Sequence, residues 1–428
     1  MTHLEQGIRR NIGQFGQQLL QVFFVGLTIG MQRTVVPTLA ESEFGLTSSS
    51  TTLLMAFVVS FGFVKGAMNF VSGRLSERVG RRKVLIWGWC IALPIPFIFL
   101  YAPSWNWIVA ANILLGINQG FAWSMTVTSK LDIVRPDQRG VATGFNEFAG
   151  YGGVALAGLI TGYLAVDFDP RLSLFVFGLA VVSLALISAL LFSKETLLWA
   201  HAESAAHKEG THVGPRPRFP QSVSEHPSAS EVFALVSFRH RTFAALSQAG
   251  CVEKFVDALV WGFFPVYLYA KGLSLVDIGW VVGFYGFVWG GSQLWTGPLS
   301  DAVGRKWPIV FGMWICALGV AATLMVDGRI AWSLTASITG VGMALLYPTL
   351  IAAVGDISHP NWRGSSLGVY RFWRDIGYGI GALLLGLVAD VFGSLEAGFW
   401  FTAIAMALSG LWVAVAMDET LARLNPAD

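Results

Sequence analysis

Nine charged side chains stand out inside long apolar stretches of this sequence: Arg33, Lys65, Glu147, Glu253, Lys254, Asp257, Arg371, Arg374 and Asp375. A charge at the centre of a membrane helix costs about 2.5–3.5 kcal/mol on insertion scales, so each should face protein or water and take a partner. Spacing groups them. Glu253 and Asp257 stand four residues apart and share a helix face. Lys254 points about 100° away from Glu253 at 3.6 residues per turn. Arg371, Arg374 and Asp375 fall at i, i+3 and i+4, again one face, and Lys65 shares a face with Asn69. Acids in such surroundings suit proton exchange. Burial raises a carboxyl pKa and a nearby arginine lowers it, so a moving helix can trade one for the other. Arg33 carries a fork that can hold two oxygens of a carboxylate or phosphate. Five bases against four acids do not fix the charge of a ligand, but Arg33, Lys65, Arg371 and Arg374 lean toward a small organic anion.

The elements that must carry these residues are membrane helices. The chain is 54% hydrophobic and 13% charged, where a soluble domain carries about 25% charged residues. Apolar runs close to the bilayer-spanning length of about 20 residues recur throughout. They are continuous rather than alternating, which selects helices over barrel strands. Twelve spans are expected near 17–40, 51–72, 84–102, 106–128, 141–165, 172–193, 242–270, 277–297, 307–326, 330–354, 365–391 and 397–417. The first run starts too late and is too long for a cleavable signal peptide. Cys90, Cys251 and Cys316 all fall in apolar runs, which disfavours a disulfide framework or a zinc site. No nucleotide loop, catalytic triad or metal-ligand cluster appears, so neither an enzyme nor a cofactor is expected, and nothing suggests nucleic-acid binding.

One string occurs twice. Gly73-Arg74-Leu75-Ser76-Glu77-Arg78-Val79-Gly80-Arg81-Arg82 returns at Gly297-Pro298-Leu299-Ser300-Asp301-Ala302-Val303-Gly304-Arg305-Lys306, an offset of 297 − 73 = 224. Asp132 and Asp356, Pro136 and Pro360, and Arg139-Gly140 and Arg363-Gly364 keep the same offset. The chain is therefore two copies of one six-span unit. The offset also makes Glu147 the mate of Arg371, and Trp123 the mate of Tyr347, which favours these two aromatics as cavity lining.

Basic residues set the orientation. Arg9 and Arg10, the two repeated loops, and Lys130, Arg135, Arg139 and Arg363 lie on one side, while Arg171, Lys271 and Arg329 lie on the other. Both termini are thus expected in the cytoplasm. Residues 194–240 contain Pro215, Pro217, Pro220 and Pro227 and five histidines, and read as a largely disordered cytoplasmic linker. The expected domains are 1–193, a six-helix bundle; 194–240, the linker; and 241–428, a second six-helix bundle. The irregular spacing of His201, His207, His212, His226 and His240 argues against a metal site.

Six plus six spans, a long linker and the repeated loop resemble the major facilitator superfamily, whose loop signature reads Gly-x-Leu-(Ala/Ser)-Asp-(Arg)-x-Gly-(Arg/Lys)-(Arg/Lys). Gly73, Leu75, Glu77, Arg78, Gly80, Arg81 and Arg82 match it with Glu for Asp. Gly297, Leu299, Asp301, Gly304, Arg305 and Lys306 match it with Ala302 in the basic position. Two marks of proton-driven drug exporters are missing: Gly116-Ile117-Asn118-Gln119-Gly120 lacks the arginine, and Gly150-Tyr151-Gly152-Gly153 lacks the proline.

The resemblance implies an all-α membrane protein of two pseudo-symmetric six-helix bundles that moves a small solute by alternating access. It implies a cavity lined by spans one, four, seven and ten, with Arg33, Glu253, Asp257, Trp123 and Tyr347 at the substrate and coupling site. It implies that Lys65 lies opposite span eleven, where Asp375 could pair with it, as a fixed pair or as a gate. Glu147, Arg371 and Arg374 belong to the same layer. It further implies that Glu77 docks near Gly364 and Asp301 near Gly140, closing the cytoplasmic side. The partners expected are a substrate, protons and the lipid bilayer, for a monomer in a bacterial inner membrane. A proton-driven exporter of amphipathic compounds and a non-transporting sensor or scaffold remain the alternatives.

Overall fold

The computed structural model describes residues 4–44, 51–211, 219–220 and 227–425. Regular structure among these residues is helical throughout. The first copy supplies α1 (Ile12–Ser42), α2 (Thr51–Val79), α3 (Arg81–Ala92), α4 (Pro94–Tyr101), α5 (Trp105–Ile133), α6 (Arg139–Asp167) and α7 (Pro170–Phe192). Two connecting helices follow, α8 (Leu197–Glu209) and α9 (Ala229–Ala234). The second copy supplies α10 (Arg241–Ala258), α11 (Phe264–Ala270), α12 (Leu275–Val303), α13 (Lys306–Thr323), α14 (Arg329–Ile357), α15 (Arg363–Phe392) and α16 (Leu395–Ala416). Eight of the resulting segments are long and apolar enough to cross a membrane, counted over the described residues.

Two expected spans are interrupted. The third divides into α3 and α4 at Leu93, where Pro94 removes a backbone donor and starts a new helix. The seventh passes through a π-helical turn, Leu259–Phe263, between α10 and α11, and Pro265 opens the next segment. Pro348 lies inside α14, so the carbonyl four residues earlier loses its helical partner. That carbonyl, of Ala344, accepts instead from the Thr296 hydroxyl at 2.6 Å. Helix α14 continues through the proline because α12 supplies the missing donor.

The chain forms two compact units. The first comprises Met1–Arg135, Phe148–Ala206 and Pro360–Gly368. The second comprises Pro136–Glu147, His207–His359 and Val369–Asp428. Each contains residues from both sequence copies. In the first unit α5 is the enclosed helix, and α1 packs closely on α6: a Cβ at Gly26 would collide with the Gly150 carbonyl oxygen. In the second unit α14 is the enclosed helix, with 83% of its apolar window buried against 44% for α16. Many of the exposed large side chains, such as Leu191, Phe287, Trp295 and Leu408, lie on the outer helices, where hydrocarbon rather than water is the natural solvent.

The segment after α7 differs from the expected disordered linker. Leu197–Glu209 and Ala229–Ala234 are helices, and a π-helical turn covers Leu235–Arg239. Leu197 to Ala206 is rich in leucine and alanine, which favour helix. A capping box starts α9, with Ser228 and Glu231 bonding each other's backbone N–H. Pro215, Pro217, His212 and His226 lie outside the described residues.

Candidate functional site

Two clusters of charge are built in parallel where the repeated strings end. In the first unit Gly80 takes φ +100°, a conformation that glycine adopts freely, and hands the chain from α2 to α3. This turn buries Arg81, which donates from Nε to Asp132 at 3.1 Å and from Nη1 to the Ser76 hydroxyl at 2.7 Å. Glu195 accepts from the backbone N–H of Arg81 at 2.8 Å and of Arg82 at 3.2 Å, satisfying the open start of α3. Arg363 donates to the other Asp132 oxygen at 3.1 Å.

The second unit repeats the arrangement. Gly304 takes φ +102°. Arg305 donates to Asp356 at 2.9 Å and to Ser300 at 2.7 Å. Glu419 accepts from the N–H of Arg305 at 2.9 Å and of Lys306 at 3.1 Å. Arg139 donates to Asp356 at 3.2 Å. Arg81, Arg139, Arg305 and Arg363 are all fully buried.

The loop acids sit on helix starts. Glu77 accepts from the Ser365 N–H at 2.6 Å and the Ser365 hydroxyl at 2.7 Å. Asp301 accepts from the N–H groups of Gly140 at 2.8 Å and Val141 at 2.7 Å. The first turns of α15 and α6 leave these donors without helical partners, and the dipole there favours a negative charge. Close approach is allowed because Gly73 meets the Gly364 carbonyl and Gly297 that of Gly140, with no room for a Cβ. Burial pushes the Glu77 carboxyl up from the ordinary range, with Arg81 and Ser365 pulling against it. Burial likewise raises Asp301, opposed by Arg305 and the two backbone N–H groups. Arg78 is exposed.

A third cluster occupies the middle of the second unit. Lys254 donates to Asp257 at 2.6 Å, and the Tyr347 hydroxyl donates to the same Asp257 oxygen at 2.5 Å. Lys254 also meets the Tyr347 hydroxyl directly. Arg374 lies over the Tyr347 ring, 4.2 Å from its centroid. It approaches Glu253 at 3.0 Å from Nε and Glu147 at 3.6 Å from Nη2. Asn146 donates to the second Glu147 oxygen at 2.8 Å. Trp289 packs edge-on against Tyr347 at 5.0 Å. Arg371 and Asp375 lie on the same helix as Arg374 and are also buried.

Glu253 and Asp257, which share a face by spacing, take different partners. The i, i+3 step carries Lys254 to Asp257 instead, and Glu253 turns to Arg374 of α15. Arg33, Lys65 and Trp123 fall in the first unit. Arg33 is exposed. Lys65 lies 5.1 Å from the Trp123 ring centroid, and Trp123 packs against Tyr151 at 5.6 Å. Asp375 belongs to the other unit.

Sequence reasoning missed three residues. Glu195 and Glu419 differ by 224, and each begins a Glu-Thr-Leu string, so the repeat itself carried the signal. Glu203 had none: it comes from α8 and accepts two hydrogen bonds from Arg363, at 2.8 and 2.7 Å, and one from Gln6 at 3.0 Å. Among the described residues no group of His, Cys, Asp or Glu is arranged to hold a metal ion.

The sequence profile of the Major Facilitator Superfamily matches residues 19–289 and again 246–427. The chain belongs to the Major Facilitator Superfamily. Its relatives in that superfamily include an uncharacterized MFS-type transporter of Salmonella typhimurium, 23% identical over 404 residues, covering 91% of this chain and 92% of the relative. A proton-coupled antiporter flippase of Staphylococcus saprophyticus is 24% identical over 396 residues, covering 90% and 88%. The superfamily fold is also that of the proton:xylose symporter XylE, with a TM-score of 0.77, 14% identity, and coverage of 96% of this chain and 98% of that one. This member is accordingly a multi-pass membrane transporter built on the superfamily's two-copy helical fold.

Proposed function

We propose that this protein is a proton-coupled secondary transporter of a small solute, working by alternating access. The observation that carries the reading is the ionisable cluster of Glu147, Glu253, Lys254, Asp257 and Arg374, all buried, inside an apolar helical unit. Groups this costly to bury are retained in membrane helices where protons or ions move. Asp257 and Glu253 are the coupling acids. Asp257 is held by a lysine and a tyrosine, Glu253 by an arginine, so protonating either one releases a cation to new partners. Arg33, Trp123 and Tyr347 contribute to substrate binding, with a small organic anion as the favoured ligand.

Glu77 and Asp301 act as latches on the cytoplasmic side, assisted by Gly73, Gly80, Arg81, Gly297, Gly304 and Arg305. They stabilise the outward-open state by binding helix starts supplied by the opposite copy. Lys65, Arg371 and Asp375 serve as gate charges. Residues 1–193 and 241–428 are the two moving bundles, joined through 194–240, in a monomer whose termini face the cytoplasm of a bacterial inner membrane. Export is the second reading, and likeness to the staphylococcal relative, a proton-coupled antiporter flippase, supports it.

The test is flux in liposomes. Purified protein is screened for solute-dependent thermal stabilisation with a panel of organic anions and amphipathic compounds. Any hit is then assayed for uptake and efflux under an imposed pH gradient. Glu253→Gln and Asp257→Asn should lose gradient-driven flux and retain solute exchange. Full gradient-driven flux in both variants would refute the assignment. A protein that moves no solute in either direction would support the sensor or scaffold class.

A further inference from the structure

Arg374 is shared between two carboxylates on two different helices. Its Nε approaches Glu253 of α10 at 3.0 Å, and its Nη2 approaches Glu147 of α6 at 3.6 Å. Glu253 is fully buried, and neither of its oxygens accepts a hydrogen bond among the described residues. The 3.0 Å approach is thus a charge contact out of line for hydrogen bonding. The Tyr347 ring lies 4.2 Å from the guanidinium carbon, a flat surface over which a guanidinium can turn.

We propose that Arg374 is an exchangeable counter-ion: when Glu253 takes up a proton, Arg374 transfers its charge contact to Glu147 and draws α6 toward α15. The neighbouring charges are consistent with such an exchange. On α10, Lys254 is bonded to Asp257 and Tyr347. On α14, Tyr347 donates to Asp257. On α15, Tyr370, Arg371 and Asp375 lie within about one turn of Arg374, with Arg371 on its own face and Asp375 directly following it. On α6, Asn146 donates to one Glu147 oxygen and leaves the other directed to Arg374. On α12, Tyr285 and Trp289 are the nearby polar aromatics.

Glu147 then has a role distinct from that of the coupling acid. It is a positioning residue, which converts loss of charge at Glu253 into a pull on α6. Residues up to Glu147 of that helix belong to the second unit and those from Phe148 belong to the first. A pull between α6 and α15 therefore acts on two helices that each contribute residues to both units. The inference rests on the reading of Glu253 as a coupling acid.

The experiment needs no substrate, because the probe is the proton. Spin labels are placed at Phe145 on α6 and Leu383 on α15, in a background with Cys90, Cys251 and Cys316 replaced by serine. Distance distributions are recorded from about pH 5 to about pH 8.5, a range wide enough to reach perturbed carboxyls. The labelled parent should shift to shorter distances on acidification. Glu253→Gln should stay at the short, acid distance at every pH. Glu147→Gln should stay at the long distance at every pH. If Glu253→Gln still responds to pH like the parent, the coupling reading itself fails. If Glu253→Gln is fixed but Glu147→Gln responds like the parent, only the exchange onto Glu147 is overturned. A parent with no pH response overturns the exchange as well. Should Glu147→Gln fail to fold, Glu147→Asp keeps the charge but withdraws it by one methylene, and a shift equal to the parent's would overturn the proposal.

Discussion

Removing the Asp301 carboxylate should unlock the start of α6. In the first turn of a helix the N–H groups have no partner within the helix, so protection of Gly140 and Val141 depends on what comes from outside. Here that is Asp301 alone, at 2.8 and 2.7 Å, among the described residues. Losing an acceptor at such a position costs about 0.5–2 kcal/mol, and losing a partly buried charge at the dipole costs up to about 2 kcal/mol. Arg305 also loses its 2.7 Å contact with Asp301. It keeps Asp356 and Ser300, so the larger penalty of an orphaned buried charge does not arise. Because these contributions overlap, Asp301→Ala should cost about 2–3 kcal/mol, or about 30- to 150-fold in local opening. Asp301→Asn keeps an acceptor oxygen and should cost about half as much. Hydrogen–deuterium exchange of the peptide covering 136–147 reads this directly. The peptide covering 360–371, where Glu77 holds Ser365, is the internal control. Unchanged exchange of 136–147 in Asp301→Ala would refute the latch reasoning, as would equal acceleration of both peptides.

Three further outcomes are expected. His240 accepts from the Phe243 N–H through Nδ1, and burial holds its pKa below the ordinary 6.5. The unfolded chain then binds the proton more readily, so the contribution of His240 is present above pH 6.5 and is lost as pH falls through the lower folded value. Thermal melts should therefore show an acid-side loss that His240→Asn, a capping residue without a titration, removes; a loss of the same size in His240→Asn would count against this cap. Glu203→Gln should lower stability by about 2–4 kcal/mol, less than full loss of a buried pair because Arg363 keeps Asp132, and an unchanged melting temperature would contradict it. Arg33→Lys should weaken binding of an identified anionic substrate about tenfold or more while the protein stays folded, and equal affinity would make Arg33 a structural charge.

Much of this molecule was legible before any coordinates. Continuous apolar runs require helices, and a fixed offset requires two copies, so the architecture followed from length and repetition. The buried charges were legible because polar residues inside apolar runs stand out. Their partners were not. A helix face says which residues travel together, yet it does not say which neighbouring helix comes closest, and so the approach of Arg374 on α15 to Glu253 on α10 was not legible. Helix α8 was hidden for a different reason. The prolines and histidines of residues 210–227 coloured the whole connection, although Leu197-Leu198-Trp199-Ala200 is a sound helix start. Glu195 and Glu419 could have been found by extending the repeat past the last apolar span of each copy.

The two arginine clusters have a genealogical consequence. Asp132, from the first copy, receives Arg363 from the second, and Asp356, from the second copy, receives Arg139 from the first. Each half lends its twin one arginine and borrows one back. That reciprocity is the signature of an isologous twofold contact, the kind made by two identical half-length chains before a duplication fused them. Chains cut between the copies should then behave as obligate partners. Each fragment alone would deprive one buried arginine, Arg139 or Arg363, of the aspartate that the other fragment supplies, and both should accumulate only when produced together.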